Sequence, residues 1–289
     1  MLSSIVNGLI NGTIYGLVAI GLVLVYKGAR VFNFAQGEFG TVAVFVAWIL
    51  NTDPPGLPMW LAILAGLAAA TMFGLLVERL VVRPLSTSPG VNLLVATAGV
   101  AIAAISIQLL LGEAEARVLN PLVAGEGITV AGIPVRPQQM IMIGMLGVVA
   151  LFLYLFFTRT SVGLAVLATS QDPLATNLSG INTKRISALV WGMAALLGGV
   201  AGLLQGPVTV FFPGFMTATV LLPAFTGAVL GGMTSLPGAF VGGLLVGVAQ
   251  DVGSQVIPEA VTGSAELTVF ALLLLVLLIR PQGLLGKEA

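Results

Sequence analysis

Three polar side chains lie close together in an otherwise apolar part of the chain. The stretch VFNFAQGEFG, residues 31–40, carries Asn33, Gln36 and Glu38 between two long apolar runs. Amides and a carboxylate exchange hydrogen bonds with polar solutes, so this cluster could form a polar collar at the inner gate of a translocation path. The same residues suit a helix start, with Asn33, Gln36 and Gly37 as the cap region and Glu38 at the positive end of the dipole. The residue types leave both interpretations open.

A second stretch, SQDPLATNLSGINTKRI (residues 170–186), has the pattern of a short amphipathic helix. Asp172 before Pro173 is typical of a helix start, and Gly180 is typical of a residue just past a helix end. Leu174, Ala175 and Leu178 form its apolar face. Two cations, Lys184 and Arg185, follow the helix. Such a helix can lie in a groove of a cytosolic partner, or it can rest on the lipid surface.

Glycines recur at four-residue spacing in several apolar runs, and this spacing lets helices cross at close range. Plain helix packing is the simpler interpretation, and an interface along which helices slide is the alternative. The glycines that we assign to packing are Gly8, Gly12, Gly16, Gly198, Gly202, Gly231, Gly232, Gly238 and Gly242.

The composition predicts that these features lie in a membrane. Of the 289 residues, 58% are hydrophobic and 8% are charged, whereas soluble domains carry about 25% charged residues. We therefore expect an all-α, polytopic helical membrane protein with about 8–9 hydrophobic segments. The predicted spans are 5–26, 34–50, 59–80, 91–111, 138–157, 187–206, 220–234, 236–256 and 265–279.

The basic residues predict an orientation with the amino terminus outside and the carboxyl terminus inside. In that arrangement only Arg117 and Arg136 of the eleven Lys and Arg residues lie outside. We expect a single transmembrane domain over 1–289, with an outer loop at 112–137 that forms a β-like or irregular cap and an inner loop at 158–186. Because GGMTSLPGAF (231–240) joins segments seven and eight, these segments can be broken or re-entrant instead of clean crossings.

Several kinds of chemistry are excluded by what the sequence lacks. It has no Cys and no His, which excludes metal sites and catalysis built on those residues. It has no phosphate-binding glycine motif of the kind that holds ATP, and no set of paired carboxylates, so we expect neither an enzyme nor a cofactor in this chain. No charged residue falls near the middle of a predicted span, which argues against proton or sodium coupling.

The chain resembles the LivH-type permeases, the membrane subunits of ATP-binding-cassette importers for branched-chain amino acids. The stretch NGLINGTIYGLVAIGLVLVYKGARVFNFAQGEFG (7–40) carries much of the resemblance. Three further stretches agree with the family: DPLATNLSGINTKRISALVWGMAALLGGVAG (172–202), AVLGGMTSLPGAFVGGLLVG (228–247) and RPQGLLG (280–286).

The resemblance implies an assembly in a bacterial inner membrane, with no nucleic acid partner. The partners would be a second, LivM-like permease subunit, two cytosolic ATPase subunits that hold ATP and Mg²⁺, and an extracytoplasmic solute-binding protein. Residues 172–180 would then couple the permease to an ATPase groove. Two positions depart from the family. Gln36 stands where the family usually has His, which removes any titratable role there, and Pro223 stands where the family more often has a residue other than Pro.

Three alternatives to a branched-chain amino acid permease remain at this point. The chain could serve an importer for urea or short-chain amides, since relatives of the family carry such solutes. It could be a self-contained channel or facilitator for a small neutral solute, which the lack of midplane charge fits equally well. It could also be a scaffold subunit without a path, in which case the cluster at 33–38 only caps a helix.

Overall fold

A computed structural model of the chain describes residues 1–52, 56–112, 114–123, 125, 127–130, 133–258, 261–280 and 282–286. The described residues form helices and one small antiparallel sheet. In chain order the elements are α1 (Leu2–Ala29), α2 (Gln36–Thr52), α3 (Met59–Val77), a π turn (Glu78–Val82), α4 (Gly90–Gly112), β1 (Ile128–Val130), β2 (Ile133–Val135), α5 (Pro137–Arg159), α6 (Ser161–Gln171), α7 (Pro173–Leu178), α8 (Thr183–Gln205), α9 (Phe215–Thr219), α10 (Leu221–Gly231), α11 (Leu236–Val256) and α12 (Ser264–Ile279).

The predicted all-α membrane fold is confirmed. Within the described ranges, six helices have the length and apolar composition needed to cross a membrane: α1, α3 with its π turn, α4, α5, α8 and α11. The other three predicted spans correspond to the shorter helices α2, α10 and α12, with 17, 11 and 16 residues. The total number of crossings and the orientation of the termini stay predictions.

Helix α1 forms the centre of the bundle. Every residue from Ile14 to Val25 is buried, and the helix contacts α5, α8, α10 and α11. A helix that is apolar and buried on all sides is a core helix. By contrast, α4 and α5 expose large apolar side chains such as Leu110 and Leu151, as expected of helices that face lipid.

Glycines stand at the closest helix contacts. A Cβ added at Gly12 would lie 2.8 Å from the Cα of Leu244, so α1 and α11 touch through their backbones. Gly202 of α8 lies in the same way against Gly40 of α2. The other predicted packing glycines at such contacts are Gly8 and Gly16 against α11, Gly198 against α2, and Gly231, Gly238 and Gly242 between α10 and α11.

Gly232 has a different role from the one we assigned. It follows the last residue of α10 with a φ of +101°, so it is a turn residue and not a helix-packing residue. An L side chain rarely adopts this backbone conformation. Its neighbours are backbone atoms of Gly286 and Gln282 near the carboxyl end of the chain.

The predicted seventh span, 220–234, contains one short continuous helix, α10, and whether this segment crosses the membrane or re-enters it stays a prediction. The short helix α9 precedes α10, and the turn at 232–235 separates α10 from α11. The eighth span is one continuous helix with the predicted bounds, Leu236–Val256. Pro223 lies in the first turn of α10, where its missing N–H removes no intrahelical hydrogen bond.

The two ends of the bundle can be told apart by their loops. At one end, which we call the α7 end, Lys27 Nζ donates to Thr234 O over 3.1 Å and an Arg30 guanidinium N–H donates to Ser170 O over 3.1 Å. These bonds join the last turn of α1 to α6 and to the 232–235 turn. The helix α6, which lies in the predicted inner loop, was not predicted because its 11 residues are too few for a span.

The predicted outer loop lies at the other end, which we call the hairpin end. The strands β1 and β2 pair antiparallel, so the described part of this loop is β-like, as expected. Backbone bonds between Arg117 and Phe211 connect the loop to the α8–α9 link, and the guanidinium of Arg117 lies 4.0 Å from the Trp48 ring centroid of α2. The loop therefore covers this end of the bundle.

Candidate functional site

The polar cluster at 33–38 lies deep inside the bundle. Gln36 Nε2 donates to Ala194 O over 2.9 Å, and Ala194 is the middle residue of α8 (Thr183–Gln205). Our placement of this cluster at a membrane boundary is therefore wrong. The segment after α1 enters the bundle without helical structure, and α2 begins halfway along α8.

Asn33 builds the turn from which α2 starts. Its Oδ1 accepts from the backbone N–H of Ala35 over 3.0 Å, and its Nδ2 donates to Gln36 Oε1 over 3.3 Å. Asn33 and Gln36 are 1% and 0% exposed. The predicted capping geometry thus exists in part, but it lies in the protein interior, where a backbone without helical bonds needs such partners.

Small residues make room for the Gln36 side chain. Gly21 of α1 and Gly198 of α8 flank its amide, and a Cβ added at Gly198 would lie 3.3 Å from Gln36 Nε2. A larger residue at Gly21 would occupy the space of the amide itself. The glycines of α1 and α8 therefore shape this polar site as well as the helix contacts.

Glu38 is completely buried and pairs with a residue that the sequence analysis did not single out. Its Oε2 accepts from Gln108 Nε2 of α4 over 2.7 Å. Gln108 Oε1 in turn accepts from the backbone N–H of Gly214 over 2.9 Å, just before α9. The available signal for Gln108 was one amide in the apolar run of a predicted span. Glu38 lies in the first turn of α2, as expected, but this turn is inside the bundle and not at its surface.

Two buried oxygens at this site have no well-formed hydrogen bond. They are Oε1 of Glu38 and Oγ1 of Thr217, which lies beside the carboxylate. Buried polar atoms are nearly always paired, since leaving one unpaired costs about 1–3 kcal/mol. Thr217 lies close enough to the carboxylate that a small shift of α9 toward α2 would let its hydroxyl donate to Glu38.

The first turns of two helices meet around Glu38. The backbone N–H of Met216 in α9 donates to Thr41 Oγ1 of α2 over 3.4 Å, and Thr217 of α9 lies against Gly37. Helices that begin in the interior of a membrane protein, next to backbone without helical bonds, are typical of residues that line a translocation path. The site offers amide and carboxylate hydrogen bonding, and the described residues hold no cluster of metal ligands.

The second candidate site is the short helix α7. Asp172 Oδ1 accepts from the backbone N–H groups of Leu174 and Ala175 over 2.9 and 3.0 Å, so the helix start has the predicted geometry. Leu174 and Leu178 are 71% and 82% exposed. A free apolar pair on a rigid, capped helix has the form of a docking element.

Gly180 ends the α7 segment with a φ of +85°. No atom lies within 4 Å of a Cβ added there, so the glycine is required by the backbone conformation and not by crowding. Lys184 and Arg185 follow in the first turn of α8, both exposed. The Asn182 side chain caps this turn by accepting from their backbone N–H groups over 3.1 and 3.2 Å.

Comparison with known proteins identifies the family. Residues 4–279 match the model of the family described as branched-chain amino acid transport system / permease component.

The chain belongs to this family.

Two curated relatives cover almost the whole permease. It is 34% identical to the high-affinity branched-chain amino acid transport system permease protein BraD of Pseudomonas aeruginosa, over 99% of this chain and 96% of the relative. It is 31% identical to the corresponding LivH protein of Escherichia coli K12, with the same coverage. Both names agree with the resemblance stated from the sequence, which is confirmed.

A solved structure supports the fold. The permease aligns with PsaBC from Streptococcus pneumoniae, solved in complex with a Fab, at a TM-score of 0.53 and 17% identity. The alignment covers 96% of this chain and 91% of the other. This alignment supports the fold alone, whereas the family match and the two relatives make the permease a multi-pass inner-membrane transport subunit, as the sequence predicted.

Proposed function

We propose that this chain is the permease subunit of an ATP-driven importer for branched-chain amino acids. The family assignment over residues 4–279 supports this most directly. ATPase and binding-protein partners follow from the family. The finer composition, a second LivM-like permease subunit with two ATPase subunits that hold ATP and Mg²⁺, is part of the proposal.

The buried cluster would act as the gate of the path. Asn33, Gln36 and Glu38 are at most 1% exposed, so in this proposal the arrangement would correspond to a closed gate. Movement of α9 away from α2 would separate Thr217 from Gly37 and expose the unpaired oxygens of Glu38 and Thr217. A zwitterionic amino acid would then meet amide and carboxylate groups that bind its ammonium and carboxylate weakly enough for release.

The aliphatic part of the solute would meet the apolar surroundings of the same site. Phe39, Phe215 and Met216 are buried beside the polar groups. A site with a few polar groups among apolar walls suits a solute that has one charged end and one branched aliphatic end. This combination supports a branched-chain amino acid over urea, which has no aliphatic part.

Helix α7 would couple this path to the ATPase. Its exposed Leu174 and Leu178 would fill a groove of the ATPase, while the Asp172 cap and the Gly180 turn hold the helix at a fixed angle. Because Arg30 of α1 bonds to Ser170, two residues before the cap, motion of α7 would reach the end of the core helix.

The first test is a pull-down of the tagged full-length chain from mild detergent, with mass spectrometry of the associated proteins. The proposal predicts recovery of two kinds of partner, an ATPase and a second permease. Recovery of the chain alone, under conditions that preserve other membrane complexes, would contradict it. Solute flux through liposomes that contain only this chain would indicate a facilitator instead.

The same assay tests the coupling helix. Leu178→Asp should abolish ATPase recovery, because a carboxylate would have to be buried in the apolar groove. Val256→Asp is the matched control, since Val256 is also exposed (64%) but lies at the hairpin end of α11. If both variants recover the ATPase equally, α7 is not the docking element.

A further inference from the structure

A cavity of about 1040 Å³ lies at the α7 end, away from the gate cluster. Its walls come from the carboxyl-terminal halves of α1 and α5, from α6, and from the 232–235 turn with the start of α11. No residue of the gate cluster or of α7 itself is among the described residues that line this cavity. Its size is in the range of ligand sites.

The cavity has a basic end. Lys27 and Arg30 both line it, and none of the described lining residues carries a carboxylate. Lys27 Nζ uses one hydrogen bond, to Thr234 O, and the Arg30 guanidinium uses one, to Ser170 O. An ammonium has three N–H donors and a guanidinium has five, so both keep donors for an anion. Neither has a carboxylate partner in the part of the chain that the structure describes.

The part of the cavity between α5 and α11 is mostly apolar. Leu153 and Phe157 of α5 face Phe240 and Val241 of α11 across it. The lining on α5 runs from Ala150 to Thr158, which corresponds to about 12 Å along a helix. Val241 is 40% exposed and Tyr154 is 64% exposed, so the cavity reaches the outer surface of the chain between α5 and α11.

We propose that this cavity binds an anionic phospholipid. The phosphate accepts hydrogen bonds from Lys27 and Arg30, and the first part of an acyl chain lies between α5 and α11 against Leu153 and Val241. Basic pockets between membrane helices are known sites for anionic lipid headgroups. The apolar length favours a lipid over a free phosphate, because an inorganic anion would leave the 12 Å groove unfilled.

Lipid binding to the full-length chain tests the basic end. Native mass spectrometry of the detergent-solubilised protein, titrated with dioleoylphosphatidylglycerol or dioleoylphosphatidylcholine, measures the preference directly. We expect phosphatidylglycerol to bind roughly thirtyfold more tightly, since two basic residues near the headgroup contribute about 1 kcal/mol each and 1.4 kcal/mol is a factor of ten. The double variant Lys27→Gln/Arg30→Gln should lose this preference.

A matched double variant removes the same charge from the same end. Arg159 and Arg280 are exposed and do not line the cavity, so Arg159→Gln/Arg280→Gln should keep the preference for phosphatidylglycerol. Equal losses in the two double variants would mean a general surface charge effect and would overturn the proposal.

The acyl half has its own test. Val241→Trp should weaken phosphatidylglycerol binding by filling the groove, whereas Leu245→Trp, at a similarly exposed position (44%) one turn further along α11, should not. This pair remains informative if the double charge variant fails to fold. Inorganic phosphate at millimolar concentration should not displace the lipid. Displacement by phosphate, or equal effects of the two tryptophans, would refute a lipid site.

Discussion

Replacing Gly12 by Ala tests whether backbone contact holds α1 against α11. A Cβ at this position would lie 2.8 Å from Leu244 Cα and 3.0 Å from both Gly243 O and Leu244 O. Carbon atoms in contact prefer a separation of about 3.5–4.0 Å. The neighbours are backbone atoms, so no side chain can rotate away and the two helices must move apart by about 1 Å.

The expected cost follows from comparison with a matched glycine. Overpacking a core contact typically costs about 1–3 kcal/mol, while Ala in a helix is about 1 kcal/mol more favourable than Gly. Gly144 of α5 has no atom within 4 Å of an added Cβ, so Gly144→Ala carries the helix term alone. The difference between the two variants therefore isolates the packing term, about 1–3 kcal/mol against Gly12→Ala.

Unfolding of the full-length protein in mixed micelles, with increasing fractions of a denaturing detergent, measures this difference. Far-ultraviolet circular dichroism follows the helices, and tryptophan fluorescence gives an independent signal. If Gly12→Ala and Gly144→Ala unfold at the same detergent fraction, α1 and α11 are not in backbone contact and the packing argument is refuted. A graded series, Gly12→Ala, Val and Leu, should destabilise progressively.

Three further variants test the gate and the coupling helix. Glu38→Gln should change the free energy of unfolding by less than about 1 kcal/mol, because the amide keeps the bond from Gln108 and supplies a donor beside Thr217. Uptake of labelled leucine should nevertheless fall. Unchanged uptake would exclude a role for the carboxylate. Gln108→Leu should lower the free energy of unfolding in detergent by about 1–3 kcal/mol, since it leaves Glu38 and the Gly214 N–H unpaired. An unchanged free energy of unfolding would contradict the observed bonds. Gly180→Ala should reduce transport while membrane insertion stays normal, because the φ of +85° costs an L residue roughly 1–2 kcal/mol. Gly180→Asn should have a milder effect. Equal transport by the wild type and both variants would count against coupling through α7.

The positions of the long helices could be predicted from the sequence, because an apolar run of about 20 residues in lipid must form a helix to satisfy its backbone hydrogen bonds. The bounds of α11 agree at both ends, and those of α4 and α5 within two residues. Local signals also located α7, since Asp172, Pro173 and Gly180 each act through backbone groups within a few residues. These features depend on short-range interactions alone.

The depth of the cluster at 33–38 could not be predicted in this way. Gln36 bonds to Ala194 and Glu38 bonds to Gln108, at separations of 158 and 70 residues. A hydropathy profile places a polar residue at the end of a span, because the profile contains no information about a hydrogen-bond partner that is distant in the sequence. The interior position depends on the glycines that make room for Gln36, which are recognisable only once α1 and α8 are known to be neighbours.

The end of α10 depends on a segment far along the chain. The backbone N–H groups of Leu284 and Leu285 donate to the carbonyls of Leu230 and Gly231 over 2.7 and 3.0 Å, so this helix end is capped by residues some 50 positions later. A chain cut before residue 284 would leave these two carbonyl groups without partners. The end of α10 is therefore completed by tertiary folding, whereas the start of α7 is completed locally by the Asp172 side chain.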